Sequence, residues 1–173
     1  MDECEKQSSE ILDVVDENDR VIGQATRSDV HKNDLTHRAS HILLFNSAGS
    51  IYVQRRSPSK DRHPSKLDSS AAGHVDSGET YLNCAIRELK EELGIEAILV
   101  KVLKIAACRE TDNEHVELFE IHSDVAPSPN WEEITSGSFM TPANLTDLMR
   151  TDPEDFVPVF VLLWRLYLKM KSQ

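Results

Sequence analysis

No stretch of this chain approaches the ~18 uncharged apolar residues that a membrane-spanning helix needs. The apolar run 156–168 is interrupted by Pro158 and Arg165 and reads as a packed helix. The opening Met1-Asp2-Glu3-Cys4-Glu5-Lys6 is acidic and polar where a secretory signal is basic and then apolar. Cysteine is scarce: Cys4, Cys84 and Cys108 are odd in number and lack metal-type spacing, which argues against a disulfide framework. A cytoplasmic location is the resulting expectation. Positive charge is also short, with 19 Lys and Arg against 30 Asp and Glu and a net charge of −11. That balance works against nucleic acid as a bulk partner, because duplex binding needs basic surface. A small phosphorylated compound needs only a local cation and stays open. Repeats, low-complexity tracts and linkers are missing too, so the 173 residues suit one domain over 11–173 after a mobile segment at 1–10.

Local patterns divide the chain into short elements. Segments 11–15 and 21–25 flank the turn-like Asp16-Glu17-Asn18-Asp19 and suggest a hairpin. Residues 27–32 suit a short helix with Ser28 near its cap. A second hairpin is expected from 41–45 and 51–55, joined at Asn46-Ser47-Ala48-Gly49-Ser50, and 57–72 reads as a loop. Helix 80–93 follows, with Thr80 as N-cap and Gly94 at the C′ position. Strands are expected at 95–105, 107–110 and 115–122, then a loop around Pro127-Ser128-Pro129 ahead of 131–139, and helices at 142–149 and 154–171. Strands with a helix between them imply an α/β or α+β sandwich. Val159, Phe160, Leu163, Trp164 and Tyr167 on the last helix suit either the chain's own core or a homodimer contact.

Helix 80–93 carries the chemistry. Leu82, Ala85, Ile86, Leu89 and Leu93 recur every three or four residues as one apolar face. Glu88, Glu91 and Glu92 stand at i, i+3 and i+4, where like charges oppose one another by roughly 0.2–0.5 kcal/mol per pair. The last helical turn also prefers cations. A divalent cation relieves both penalties, and Mg²⁺ is satisfied by a few carboxylates, water and phosphate oxygens. A solvated acidic face is the plain alternative for a lone Glu-Glu pair. The wider pattern is harder to dismiss: Gly73, then Glu79 after five residues, then Arg87-Glu88-Leu89-Lys90-Glu91-Glu92-Leu93-Gly94-Ile95 after seven. A chance match of that length is on the order of 10⁻⁷ at ordinary residue usage.

These positions resemble the complete Nudix box, G-x5-E-x7-R-E-U-x-E-E-x-G-U with U aliphatic. The resemblance implies the Nudix fold, a mixed-sheet α/β/α sandwich with the catalytic loop and helix at about 73–94. It also implies a site in which Gly73, Glu88, Glu91 and Glu92 bind Mg²⁺, with Mn²⁺ able to substitute, while Glu79 and Arg87 orient the acids. The implied activity is hydrolysis of a diphosphate by metal-activated water, in a nucleoside diphosphate linked to another moiety or a similar organic diphosphate. The general base is open among Glu88, Glu132 and Glu133, and substrate loops are expected at 57–70 and 123–138.

Other segments, including His37-Arg38-Ala39, Gln54-Arg55-Arg56-Ser57 and Ala71-Ala72-Gly73-His74-Val75, are similar to isopentenyl-diphosphate isomerase. That likeness implies diphosphate contacts from Arg56 and Lys60. It aligns His74, His37 and, one residue out of step, His31 with metal-binding histidines, and sets Asp112 and Glu114 near two acids. His74 and Glu114 are thereby candidate substrate contacts. Ala72 stands where that isomerase has its catalytic cysteine and has no proton to give, so isomerisation is disfavoured against hydrolysis. A non-catalytic diphosphate sensor is the third reading, and the intact box counts against it.

Overall fold

The computed structural model describes residues 10–172. The mobile segment expected at 1–10 lies, apart from Glu10, outside the described residues. Strands β1 (Ile11–Val15) and β2 (Val21–Thr26) form an antiparallel pair. Helix α1 (Arg27–Lys32) follows, capped by Thr26, whose side chain accepts from the Asp29 amide; Ser28 is inside the first turn, not at the cap. The larger sheet contains β3 (His37–Phe45), β4 (Ile51–Arg56), β5 (Leu67–Asp68), β6 (Ala71–His74), β7 (Val100–Ile105), β8 (Glu114–His122) and β9 (Ile134–Met140). Its central order is β5-β4-β3-β8-β7, with β6 beside β3 and β9 beside β4. β3 and β8 run parallel and the other strand pairs of this sheet antiparallel, so the sheet is mixed.

Period-two alternation sends the two sides of β3 to two cores. Ile42 and Leu44 join Phe119 and Ile121 under Ala85, Leu89 and Leu93 of helix α2 (Tyr81–Leu93). Leu43 and Phe45 join Ile51, Val53, Val116 and Leu118 on the other face, against helices α3 (Pro142–Thr151) and α4 (Pro158–Lys171). Each large side chain fully buried this way contributes roughly 1.5–3 kcal/mol. The result is the expected α+β sandwich, with helices on both faces of the mixed sheet. Val159, Phe160, Leu163, Trp164 and Tyr167 of α4 are buried in the chain's own core, which removes this face as a dimer contact.

Several boundaries differ from the sequence reading. Residues 57–72 are not all loop, because β5 and the start of β6 lie within them. The strand expected at 95–105 begins only at Val100, since Gly94 ends α2 with φ 65° and Ile95 drops into the core. No strand forms over 107–110. The chain instead makes a 3-10 turn at Arg109–Thr111, followed by left-handed Asp112 and Asn113 with φ 52° and 63°, which reverses it into β8. The last helix begins at Pro158, not 154; Pro153–Asp155 is a separate 3-10 turn. Proline is suited to the first helical position because its missing amide is not needed there.

Candidate active site

Helix α2 is fixed at both ends by the residues its sequence suggested. The Thr80 side chain accepts from the Asn83 amide, and the Gly94 amide returns to the Leu89 and Lys90 carbonyls. Between these caps Arg87 gathers the acidic groups. Its Nη1 donates to Glu88 at 2.5 Å and to Glu91 at 3.3 Å. Its Nη2 donates to Glu79 at 2.9 Å and to the His74 carbonyl at 3.1 Å, and its Nε reaches Glu79 at 3.2 Å. One planar guanidinium therefore ties the helix to the preceding loop, a geometry that an ammonium cannot copy.

Glu88 reaches across to β6, where it lies so near Gly73 that no side chain fits at that position. Glu91 is exposed. Glu92 is 2% exposed and accepts from Gln54 Nε2 at 2.7 Å and the Ala72 amide at 3.3 Å. Burial pushes both inner carboxyls up. Glu88 rises well above the ordinary carboxylate range, with Glu92 adding to the effect and Arg87 opposing it. Glu92 rises to about 7, with Glu133 raising it while Lys60, Gln54 and Arg56 oppose. Two adjacent carboxyls resisting charge form an oxygen-rich donor set that suits a hard divalent cation. Gly73, with its carbonyl oxygen and no side chain to obstruct Glu88, fits that set as well.

These groups border a cavity of about 400 Å³. Arg56, Lys60, Gly73, His74, Arg87, Glu88, Glu91, Glu114 and Glu133 all line it. The two cations expected to meet phosphate are held by acids: Arg56 Nη1 lies 3.1 Å from Asp68, and Lys60 Nζ lies 2.5 Å from Glu133. Arg55 turns elsewhere, forming a two-pronged ion pair with Asp155. Of the two late glutamates, Glu133 lines the cavity and Glu132 is exposed at the surface. Both expected substrate loops contribute, through Lys60 and Arg62 on one side and Asn130 and Glu133 on the other.

His74 and Glu114 belong to a second group on the far side of β3 and β6. The ligating atoms of His31, His37 and His74 lie within 4.8 Å of one another. Glu114 Oε1 is 3.3 Å from His37 Nε2 and 3.2 Å from His74 Nε2, while Arg27 Nε donates to His74 Nδ1 at 3.2 Å. Burial lowers His31 and His74 to about 4, which keeps both rings neutral at pH 7. Burial alone would raise Glu114, yet the His37 and His74 rings against it carry it well below the ordinary range. Asp112 is not part of this group; Arg62 and His63 hold it at 2.9 and 2.5 Å.

Comparison with known proteins turns on residues 35–160, which match the model of the NUDIX domain. The chain belongs to the Nudix family. A Nudix hydrolase of Deinococcus radiodurans is 37% identical over 141 residues, covering 80% of this chain and 82% of the relative. An uncharacterized Nudix hydrolase of Pseudomonas aeruginosa is 36% identical over 161 residues, covering 92% and 94%. For a Yersinia pestis relative, 49% identical over 89 residues, the match spans only 51% of this chain and 49% of that one. A crystal structure from D. radiodurans superposes with a TM-score of 0.74 at 34% identity, covering 82% of this chain and 90% of that one. The Nudix domain of Shewanella oneidensis NrtR, in complex with ADP-ribose, shares the fold with a TM-score of 0.63 at 10% identity, covering 86% and 100%. With relatives named Nudix hydrolases matched over four fifths or more of both chains, this chain is a hydrolase.

Gln54, Asp68, Ser69 and His41 are buried polar residues near the site that the sequence reading passed over. Their signal was a polar side chain placed directly against apolar strand residues, as in Val53-Gln54 and His41-Ile42. Among the described residues no helix is long and apolar enough to cross a membrane.

Proposed function

We propose that this Nudix hydrolase cleaves the diphosphate linkage of a nucleoside diphosphate derivative or a similar organic diphosphate, with Mg²⁺ held by Gly73, Glu88, Glu91 and Glu92. The observation that carries this reading is the grip of Arg87 on Glu79, Glu88, Glu91 and the His74 carbonyl, beside a cavity that also presents Arg56 and Lys60. Mn²⁺ suits the same oxygen donors. Bound there, the metal supplies an acidified water and neutralises charge on the phosphate oxygens.

The chain's own groups do the rest. Glu79 and Arg87 hold the acids in place, and Arg56 and Lys60 orient the diphosphate through charge-assisted hydrogen bonds. Water oxygen attacks one phosphorus, the bond from that phosphorus to the bridging oxygen breaks, and the water's proton passes to a carboxylate. We assign that proton to Glu88 or Glu133, both of which line the cavity, and Glu88→Gln against Glu133→Gln separates them by which variant loses turnover.

The test is a Mg²⁺-dependent screen across nucleotide sugars, dinucleoside polyphosphates, coenzyme A, thiamine diphosphate and prenyl diphosphates, run in ¹⁸O-labelled water. Label in one phosphate product supports attack on phosphorus. Label in the organic alcohol, or release of an isomerised prenyl diphosphate, opposes it.

A second reading is favoured by the convergence of His31, His37 and His74: these rings, with Glu114, hold a metal of their own. His31 Nε2 and His37 Nε2 are buried without a hydrogen-bond partner among the described residues, as open ligand positions would be. A metal analysis giving an additional equivalent that His37→Ala removes supports this reading. The same count in both proteins opposes it. Isomerisation gains nothing from such a metal while Ala72 occupies the proton donor's place.

A further inference from the structure

The sheet splits where β4 leaves β3. Phe45 and Ile51 are the one registered pair between those strands, after which β3 turns to β6 as partner. Asp68, Ser69 and Ser70 cross this split. Ser70 Oγ donates to the Tyr52 carbonyl at 2.6 Å and accepts from the Leu44 amide at 2.8 Å, joining the two sides. Ser69 and Asp68 turn instead toward His41.

His41 is 4% exposed and faces Ala72 across the β3–β6 ladder. Its neighbours Ser40 and Gly73 look toward α2: Ser40 Oγ donates to the Tyr81 carbonyl, and Gly73 meets Glu88. Alternation therefore aims His41 at the opposite side of the cavity, along with Ala39 and Ala72. Nδ1 of His41 lies 2.8 Å from Ser69 Oγ. That hydroxyl's other acceptors, Asp68 Oδ1 and the Ala71 carbonyl, are each 3.4 Å away. One proton is shared across the short contact; with the hydroxyl as its donor, the ring proton sits on Nε2. Asp68, 1% exposed, fixes Ser69 by accepting its amide at 2.7 Å. Burial lowers His41 and keeps the ring neutral.

The ring thus lines the cavity with Nδ1 occupied and with Nε2 lacking a hydrogen-bond partner among the described residues. Nε2 is not one of the enclosed unpartnered atoms, so it opens on the cavity, where a bound group can reach it. Val157 and Val159 supply the apolar part of the same wall. Resting on the diphosphate reading above, we propose that His41 determines specificity by donating Nε2–H to an oxygen of the organic group. Ser69 and Asp68 are its positioning residues. The substrate then carries a hydroxylated, sugar-like group; a hydrocarbon chain would leave the donor buried and unpaired, which a site built for hydrogen bonding rejects strongly.

The test compares ADP-ribose with isopentenyl diphosphate, using the full chain with Mg²⁺ and the His41→Leu, His41→Gln and Ser69→Ala variants. The wild type is expected to prefer ADP-ribose. His41→Leu should raise KM for ADP-ribose about tenfold with kcat little changed. His41→Gln, which keeps an N–H near the same place, should recover most of the loss, and Ser69→Ala should fall between. Preference for isopentenyl diphosphate, or a KM within twofold of wild type in His41→Leu, overturns the proposal alone. Hydrolysis of neither compound, nor of any compound in the wider Mg²⁺ screen, overturns it together with the diphosphate reading. A variant-free check is the ¹⁵N spectrum of the wild-type imidazoles. His41 should show the neutral Nε2–H form and shift on adding ADP-ribose; an Nδ1–H form or an unmoved signal contradicts the assignment.

Discussion

A β-carbon built on Gly73 would stand 2.0 Å from Oε1 of Glu88. The backbone of β6 and the side chain of α2 therefore occupy space that leaves no room for even one methyl group. Gly73→Ala must displace Glu88 or the loop carbonyl. Displacements of about 1 Å at a reacting centre cost on the order of 10²-fold in rate. Turnover should fall by at least that much, while circular dichroism stays native. Activity within threefold of wild type would show that Glu88 has no fixed task.

Arg87→Lys removes the fork that spans Glu79, Glu88 and Glu91 but keeps the charge. Losing an outer partner of a metal ligand typically costs 10–100-fold in affinity or activity. Calorimetric titration should find Mg²⁺ binding weakened by roughly that factor. Unchanged affinity would mean that charge alone, without geometry, holds the acids.

Asp19 joins the β1–β2 turn to the start of helix α2. It accepts from Arg38 Nε at 2.5 Å and Tyr81 Oη at 3.0 Å, and also pairs with Lys104. Burial would raise its carboxyl, but the hydrogen bonds from Lys104, Arg38 and Tyr81 outweigh that and lower it. A carboxyl lower in the folded than in the unfolded chain contributes stability that is fully present above an ordinary Asp value of about 3.9 and lost as pH falls through the folded value. Asp19 has φ 62°, a conformation that Asn also tolerates, so Asp19→Asn removes the charge and one accepting oxygen without backbone strain. Urea unfolding at pH 6 should show a loss of about 1–3 kcal/mol, shrinking toward zero near pH 2. An equal deficit at both pH values would contradict an electrostatic origin.

Helix α2 was legible because its signals are local: Thr80 and Gly94 are the residue types that end a helix, and the acids are fixed by their spacing around Arg87. Strands β5 and β6 were not, because they have two and four residues and no alternation long enough to register. The turn at Arg109–Thr111 differs from the strand expected over 107–110, and the signal for it lies just beyond, in Asp112-Asn113, residue types that tolerate a left-handed backbone. His31, His37 and His74 meet only because β3 pairs with β6 and α1 folds over both ends, a juxtaposition that no spacing along the chain encodes. His41 was hidden inside an apolar run, where its burial matched that of its neighbours.

The most direct measurement titrates Mg²⁺ into wild type and into the Glu91→Gln/Glu92→Gln double variant by calorimetry, followed by turnover assays on the same samples. The account predicts saturable binding and hydrolysis in the wild type, with both lost in a double variant that melts cooperatively. Magnesium binding or turnover that survives the double substitution would contradict it.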